Sequence, residues 1–166
     1  MTTIAEVIMA LVLTSGAFTG GGAIPARHGC DGANLSPALA WSGAPAGTVA
    51  FALIVDDPDA PAGTWVHWVL FNLPGTLAAL PEGVPGNERL PALGGALQGR
   101  NDFHRVGYGG PCPPPGRAHH YYFRLYALNA ALSLAAGASR QEVDRAMHGH
   151  VLTETTLMGT YARQAH

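Results

Sequence analysis

The segment over residues 107–116 restricts the fold of this 166-residue chain more than any other part of it. Its ten residues hold four prolines and four glycines, and two histidines follow at 119 and 120. Proline lacks the backbone N–H that helices and inner strands use, and its ring fixes φ, so the segment can belong to neither. We therefore predict a rigid, shaped loop that delivers two histidines to the start of a strand.

Apolar runs of strand length recur between turn signals through the rest of the chain. They cover residues 7–13, 48–55, 66–73 and 121–128, with a weaker run near 39–41. The stretches at 16–25, 57–63 and 81–99 are rich in Gly and Pro, which favours loops over the helices that a doubly wound parallel sheet would need. The pattern predicts a β-rich domain.

Helical signal is found only near the C-terminal end. Ser139 and Glu142 have the spacing of a capping box, in which each side chain bonds to the other residue's backbone N–H. Val143 and Met147, four residues apart, give the following helix an apolar face. Leu157 and Tyr161 have the same spacing, so we predict a second short helix over residues 153–163.

Composition excludes several classes of protein. With 48% apolar residues and a net charge of −2, the chain is not disordered. Its length suits a single domain over residues 1–166, and no run approaches the ~20 apolar residues of a membrane-spanning helix. The nine Lys or Arg positions are all arginine and are spread singly, so the basic stripe of a nucleic-acid-binding protein is absent.

The N-terminal region and the cysteines bear on the cellular compartment. Residues 7–13 could form a signal-peptide core, but no Lys or Arg precedes them and no cleavage pattern follows closely. We expect them to be a first strand of the mature protein, and we expect a cytoplasmic protein in preference to a periplasmic one. Cys30 and Cys112 fit either compartment, as free thiols or as a bridge.

Two segments carry side chains suited to chemistry, and the first combines DDPDAP at 56–61 with WVHW at 65–68. One apolar run ends there and the next begins. Three carboxylates within four positions repel one another unless some accept backbone or hydroxyl hydrogen bonds, so we expect one of them to have a raised pKa or a histidine partner. A plain Asx turn, in which the carboxylates only cap backbone groups, explains the pattern equally well.

The second segment places His119 and His120 at a strand start, where consecutive side chains point to opposite faces. We expect only one of them to share a site with Asp57 and His67. A metal site is disfavoured because the spacing matches no ligand signature, and a Cys112 nucleophile because no activating helix terminus is indicated. No serine lies in a nucleophile elbow, and phosphate-loop and dinucleotide fingerprints are missing. The remaining option is a small anion pocket, in which imidazoles donate hydrogen bonds to oxygen atoms.

Together these segments resemble the phosphatidylethanolamine-binding protein family, in its bacterial branch described as Raf-kinase-inhibitor-like. The match runs in order through nearly the whole chain. It includes GANLSP at 32–37, DDPDAP at 56–61, GRNDF at 99–103, the loop at 107–116, the strand at 119–128, and Gly149 with His150.

The resemblance implies an antiparallel β-sandwich with short C-terminal helices and a small pocket for phosphate-like groups, including phospholipid headgroups. Carried over residue by residue, the pocket comprises Asp57, Pro61, His67, Pro114, His119 and Tyr121, with Trp65 and Tyr108 on its wall. In this interpretation His67 and His119 donate N–H bonds to the anion, and Asp57 orients His119 or binds a ligand amine. Two positions depart from the family pattern: His120 stands where arginine is common, and His104 where small residues are usual.

Nothing in the sequence marks a nucleophile, a cofactor or a metal. We therefore expect a non-enzymatic protein that binds a small phosphorylated or carboxylate ligand. One alternative is an enzyme that uses Asp57 and His119 as an acid–base pair. Another is a protein that modulates a partner through the loops around the pocket. A homodimer is expected only by analogy.

Overall fold

Two antiparallel sheets of unequal size make up the described fold. The structure, a computed structural model, describes residues 9–164. Its strands are β1 Val12–Thr14, β2 Leu39–Ser42, β3 Ala50–Asp57, β4 Trp65–Pro74, β5 Ala79–Leu80, β6 Arg89–Leu90, β7 Ala96–Gln98, β8 His119–Leu128 and β9 Val151–Tyr161. Within that range one α-helix, α1, covers Arg140–Met147, and single 3-10 turns lie at Ala26–His28 and Pro91–Leu93.

The larger sheet has six strands in the order β6-β7-β4-β3-β8-β9, and the smaller sheet has the order β1-β2-β5. In the larger sheet, the inner strand β3 pairs antiparallel with β4 on one side and with β8 on the other. The mainly β, antiparallel architecture predicted from the sequence is confirmed.

The two faces of β3 are buried in different layers. Leu53 belongs to the apolar cluster that includes Trp41 of the small sheet, whereas Ile54 belongs to the cluster that includes Val143 of α1. A strand covered on both sides has no solvent face, which explains why residues 50–55 form an unbroken apolar run.

Helix α1 begins as the sequence predicts, because the Ser139 side chain accepts a hydrogen bond from the backbone N–H of Glu142 at 3.2 Å. The helix is also tied to the large sheet by charge. Asp56, buried at the end of β3, accepts hydrogen bonds from the guanidinium groups of Arg124 on β8 and Arg140 on α1. These bonds satisfy a carboxylate that would otherwise be costly to bury.

The second helix predicted over residues 153–163 is wrong, because most of that stretch lies in β9. Leu157 and Tyr161 are four residues apart, and in a strand that spacing also places two side chains on one face. The segment is rich in β-branched threonine, which favours strands, and β8 pairs with it over nearly its whole length.

Two smaller differences concern a predicted loop and the first predicted strand. The stretch at 81–99, predicted as a loop, contains the short strands β6 and β7. Of the first strand predicted over residues 7–13, only Val12 and Leu13 lie in β1, and residues 7 and 8 lie outside the described residues.

Candidate functional site

Three neighbouring strands of the large sheet bring the candidate residues together. Asp57 is the last residue of β3, and it pairs with Trp65, the first residue of β4. His119 is the first residue of β8, on the other side of β3. Because both neighbours run antiparallel to β3, their first residues lie beside its last one. Residues about sixty positions apart in the sequence therefore meet at one end of the sheet.

A β-bulge at the start of β4 sets the position of His67. Val55 pairs with Trp68 and Asp56 pairs with Val66, so His67 is the extra residue that the ladder leaves unpaired. Such a bulge turns a side chain away from the regular alternation of the strand. The buried His67 ring packs edge-on against the ring of Tyr121, with centroids 5.2 Å apart.

The tautomer of His67 is fixed by the proline-rich loop. Its Nδ1 lies 2.6 Å from the carbonyl oxygen of Gly109, and the Gly109 N–H donates to the His67 carbonyl at 2.9 Å. A carbonyl oxygen only accepts, so Nδ1 carries the proton and Nε2 is left for a bound group. Burial lowers the pKa of His67 below its ordinary value, although the Gly109 carbonyl and the Asp57 carboxylate oppose the change. Burial therefore favours the neutral ring, in which Nε2 is an acceptor and not the N–H donor expected from the resemblance.

Asp57 serves both roles that the sequence left open. Its Oδ1 accepts a hydrogen bond from the backbone N–H of Asp59 at 2.8 Å, which is the Asx turn. Its Oδ2 accepts from Nδ1 of His119 at 2.7 Å, which orients that ring. Asp57 is 3% exposed and His119 7%. Like His67, His119 is bonded through Nδ1 and keeps Nε2 for a ligand.

The two adjacent histidines separate as strand alternation requires. His119 is buried in the site, whereas the side chain of His120 is 46% exposed. The backbone N–H and Nδ1 of His120 both bond to Oδ2 of Asp59, at 2.9 and 2.7 Å. These hydrogen bonds lower the pKa of the Asp59 carboxyl. His120 thus anchors a rim carboxylate at the position where arginine is common in the family pattern.

A cavity of about 200 Å³, which we call the histidine cavity, opens between these side chains. Six of the eight predicted residues line it: Asp57, Pro61, Trp65, His67, Pro114 and His119. Ala60, Phe103, Cys112 and Pro113 complete the lining, and the sequence interpretation did not include them. A larger cavity of about 490 Å³ lies near the start of α1, but it contains none of the predicted residues.

The two tyrosines predicted for the pocket lie outside its lining. The Tyr121 ring packs edge-on against His67, and its hydroxyl is buried. Burial, together with the nearby Asp57 carboxylate, raises the pKa of Tyr121. Tyr108 lines a neighbouring cavity instead, where its hydroxyl donates to the His28 carbonyl at 2.7 Å. Burial raises the pKa of Tyr108 as well.

Phe103 is the most informative residue that sequence reasoning missed. Its ring packs edge-on against His67 and Trp65, with centroids 5.3 and 5.5 Å away. Asn101 holds the turn that presents it, because Oδ1 accepts from the backbone N–H of Phe103 and of Arg105. Asn101 was the available turn signal, but the direction in which the next aromatic ring points is not encoded in the local sequence.

The proline-rich loop is tied to the segment at 26–34 by four links. Cys30 and Cys112 form a disulfide, which resolves the alternative left open by the sequence and removes Cys112 as a free nucleophile. The other three links are hydrogen bonds: Cys30 N–H to Pro111 O, Gly110 N–H to Asn34 Oδ1, and Tyr108 OH to His28 O. Together they hold Pro113 and Pro114 against the histidine cavity.

Within residues 9–164, no group of three His, Cys, Asp or Glu side chains is arranged to hold a metal ion. No helix in the same range is long and apolar enough to cross a membrane.

The chain belongs to the phosphatidylethanolamine-binding protein family, whose model matches residues 14–162. A UPF0098 protein of Methanothermobacter thermautotrophicus is 52% identical over 151 residues, covering 91% of this chain and 98% of that protein. A UPF0098 protein of Aquifex aeolicus is 45% identical over 151 residues, covering 90% of this chain and 86% of its own length.

Two crystal structures share the fold. One, described as a homologue of phosphatidylethanolamine-binding protein from Chlamydia trachomatis, is 38% identical with a TM-score of 0.85. The other is Escherichia coli YbcL, described as a member of the mammalian PEBP family, at 34% identity and a TM-score of 0.86. Each comparison covers 93% of this chain and 99% of the other.

Removal of the disulfide tests how strongly the loop is held. The two cysteines are 82 residues apart, and in the chain-entropy model a bridge of that span stabilises a fold by about 4.5 kcal/mol. We expect the double variant Cys30→Ala, Cys112→Ala to lose stability of that order in urea unfolding monitored by tryptophan fluorescence. Wild type unfolded in the presence of a dithiol reductant is the matched control and should coincide with the variant. Equal stability of the variant and oxidised wild type would show that the bridge does not constrain the chain.

Proposed function

We propose that this protein binds small phosphate-like anions, such as phosphate monoesters or phospholipid headgroups, in the histidine cavity, without chemical conversion. The observation that carries the proposal is the convergence of His67 and His119 on one cavity, each bonded inside the protein through Nδ1. Both rings therefore offer Nε2 to the same small volume.

The surroundings favour an oxyanion over an apolar guest. The imidazoles supply directional polar contacts, and Pro61, Trp65, Phe103 and Pro114 supply apolar walls beside them. Hydrogen bonds to a charged group are about twice as strong as those between neutral groups. The volume of about 200 Å³ suits a headgroup better than a whole lipid.

Direct titration tests this proposal. We expect phosphoethanolamine and inorganic phosphate to bind wild type in isothermal titration calorimetry, and His119→Ala to weaken binding by about tenfold or more, because it removes a hydrogen bond to a charged group. His120→Ala is the matched control, since its ring is the next along the strand and points to solvent. Binding that survives in His119→Ala, or is lost equally in His120→Ala, would place the anion elsewhere.

The neutral state of buried His67 predicts proton uptake on binding. An unprotonated anion such as sulfate offers no proton to Nε2, so its charge should raise the pKa of His67 from the lowered value of the free protein. Affinity for sulfate should therefore rise as the pH falls below the pKa of His67 in the complex. It should level off below the lower pKa that His67 has in the free protein.

Calorimetry of sulfate binding in buffers of different ionisation enthalpy measures the protons taken up. His67→Asn is the control, because its amide can keep the bond to the Gly109 carbonyl without titrating. Equal proton uptake by wild type and His67→Asn would show that another group takes the proton.

The dyad of Asp57 and His119 favours acid–base catalysis as the second candidate. A carboxylate that orients an imidazole through Nδ1 leaves Nε2 to accept or donate a proton, as in many hydrolases. Catalysis requires that the protein hydrolyse a small ester, which NMR can monitor. Asp57→Asn should then abolish the hydrolysis while phosphate still binds. Binding without turnover favours the first proposal.

The cytoplasmic location expected from the sequence stays a prediction, and the Cys30–Cys112 bridge favours the periplasmic alternative. Disulfides persist in oxidising compartments and are rare in the reducing cytosol of most organisms. We expect these two thiols to resist alkylation in intact producing cells and to react after reduction. Alkylation before any reduction would favour the cytoplasm.

A further inference from the structure

A second cavity of about 300 Å³ adjoins the histidine cavity. We call it the Arg105 cavity. The two share Phe103 and Cys112 as lining residues, so the aromatic ring and the disulfide stand between them as a common wall. Phe103 is 36% exposed, so part of this shared wall faces solvent.

The Arg105 cavity carries positive charge only. Arg105 is the one charged residue in its lining, and within residues 9–164 its guanidinium makes no ion pair or hydrogen bond. Its backbone is fixed on both sides, because the N–H donates to Asn101 Oδ1 and the carbonyl accepts from the Asn101 N–H. The base of the side chain is therefore held in place, whereas its charge is not engaged.

Asn34 adds a neutral donor to the same cavity. Its Oδ1 accepts from the backbone N–H of Gly110, which assigns the amide nitrogen to the other side of the group. That nitrogen has hydrogen atoms to donate. A guanidinium and a carboxamide, with no carboxylate in the lining, suit a carboxylate or a second phosphate.

We propose that the two cavities form one elongated site for a doubly acidic ligand. An oxyanion is held by His67 and His119, and a second acidic group at the far end of the same molecule is held by Arg105 and Asn34. The inference rests on the proposed function, because it takes the histidine cavity as the place of the first anion. It adds a ligand class, acid-tailed phosphate monoesters, and a specificity residue, Arg105.

A series of alkyl phosphates tests the inference. For each chain length, from short to long, the affinity of the plain alkyl phosphate is compared with that of the same phosphate bearing a terminal carboxylate. The affinities are measured by isothermal titration calorimetry at moderate salt. We expect the terminal carboxylate to strengthen binding by about fivefold at one optimal length, as for a partly exposed ion pair. Arg105→Ala should remove this gain and leave the affinity for plain alkyl phosphates unchanged.

Two further variants separate recognition of the tail from a general effect of charge. Arg100→Ala removes an arginine from the same segment that lines neither cavity, and it should keep the gain. Arg105→Glu should reverse the preference, so that phosphates with a terminal amine bind more tightly than those with a carboxylate. A merely structural role of Arg105 would not produce that reversal.

The outcomes distinguish this inference from the proposed function. If plain phosphates bind and depend on His119, but the carboxylate adds nothing at any length, the elongated site is wrong and the proposed function stands. The inference also fails if Arg105→Ala and Arg100→Ala lower the gain equally. If no phosphate binds in a His119-dependent way, both proposals fail.

Discussion

The antiparallel pairing of β3 with β4 and β8 is the constraint on which the rest of the structure depends. Because β3 is buried on both faces, a slip of one residue would exchange the two apolar clusters and bury the wrong side chains. A slip would also break the hydrogen bonds of Asp56 and Asp57, so packing and polar contacts together fix the register. The same register sends Asp56 towards the arginines of β8 and α1, and Asp57 towards His119. One strand end thus anchors the helix and orients the candidate site.

The proline-rich loop forms one wall of the site, although it has no regular secondary structure. A segment with four prolines in ten residues has few backbone N–H groups that can form hydrogen bonds, so other contacts must hold the loop in place. These contacts are the disulfide, the hydrogen bond of Gly110 to Asn34, and the two hydrogen bonds between Gly109 and His67. A loop held in this way loses less conformational freedom when a ligand binds.

Much of the fold and part of the site could be predicted from the sequence. The apolar runs located β3, β4 and β8, and strand alternation separated His119 from His120, because both signals are local. The bulge at His67, the direction of Phe103 and the pairing of Cys30 with Cys112 depend on residues distant in sequence, and no local pattern encodes them. The error at residues 153–163 has the same origin, since a spacing of four fits a strand as well as a helix until β8 is known to lie alongside.

The protonation state of His67 restricts which anions the histidine cavity can accept. Nε2 of neutral His67 is an acceptor, so an unprotonated anion binds there only if the ring first gains a proton. A phosphate monoester, whose second pKa lies near 6, can bring that proton itself as a P–OH group. Sulfate carries no such proton at neutral pH. A buried imidazole with a lowered pKa would therefore favour a protonated phosphate group over sulfate, although both are tetrahedral groups of four oxygens. The preference would come from the bond that fixes His67 Nδ1 to Gly109 together with the burial of its ring.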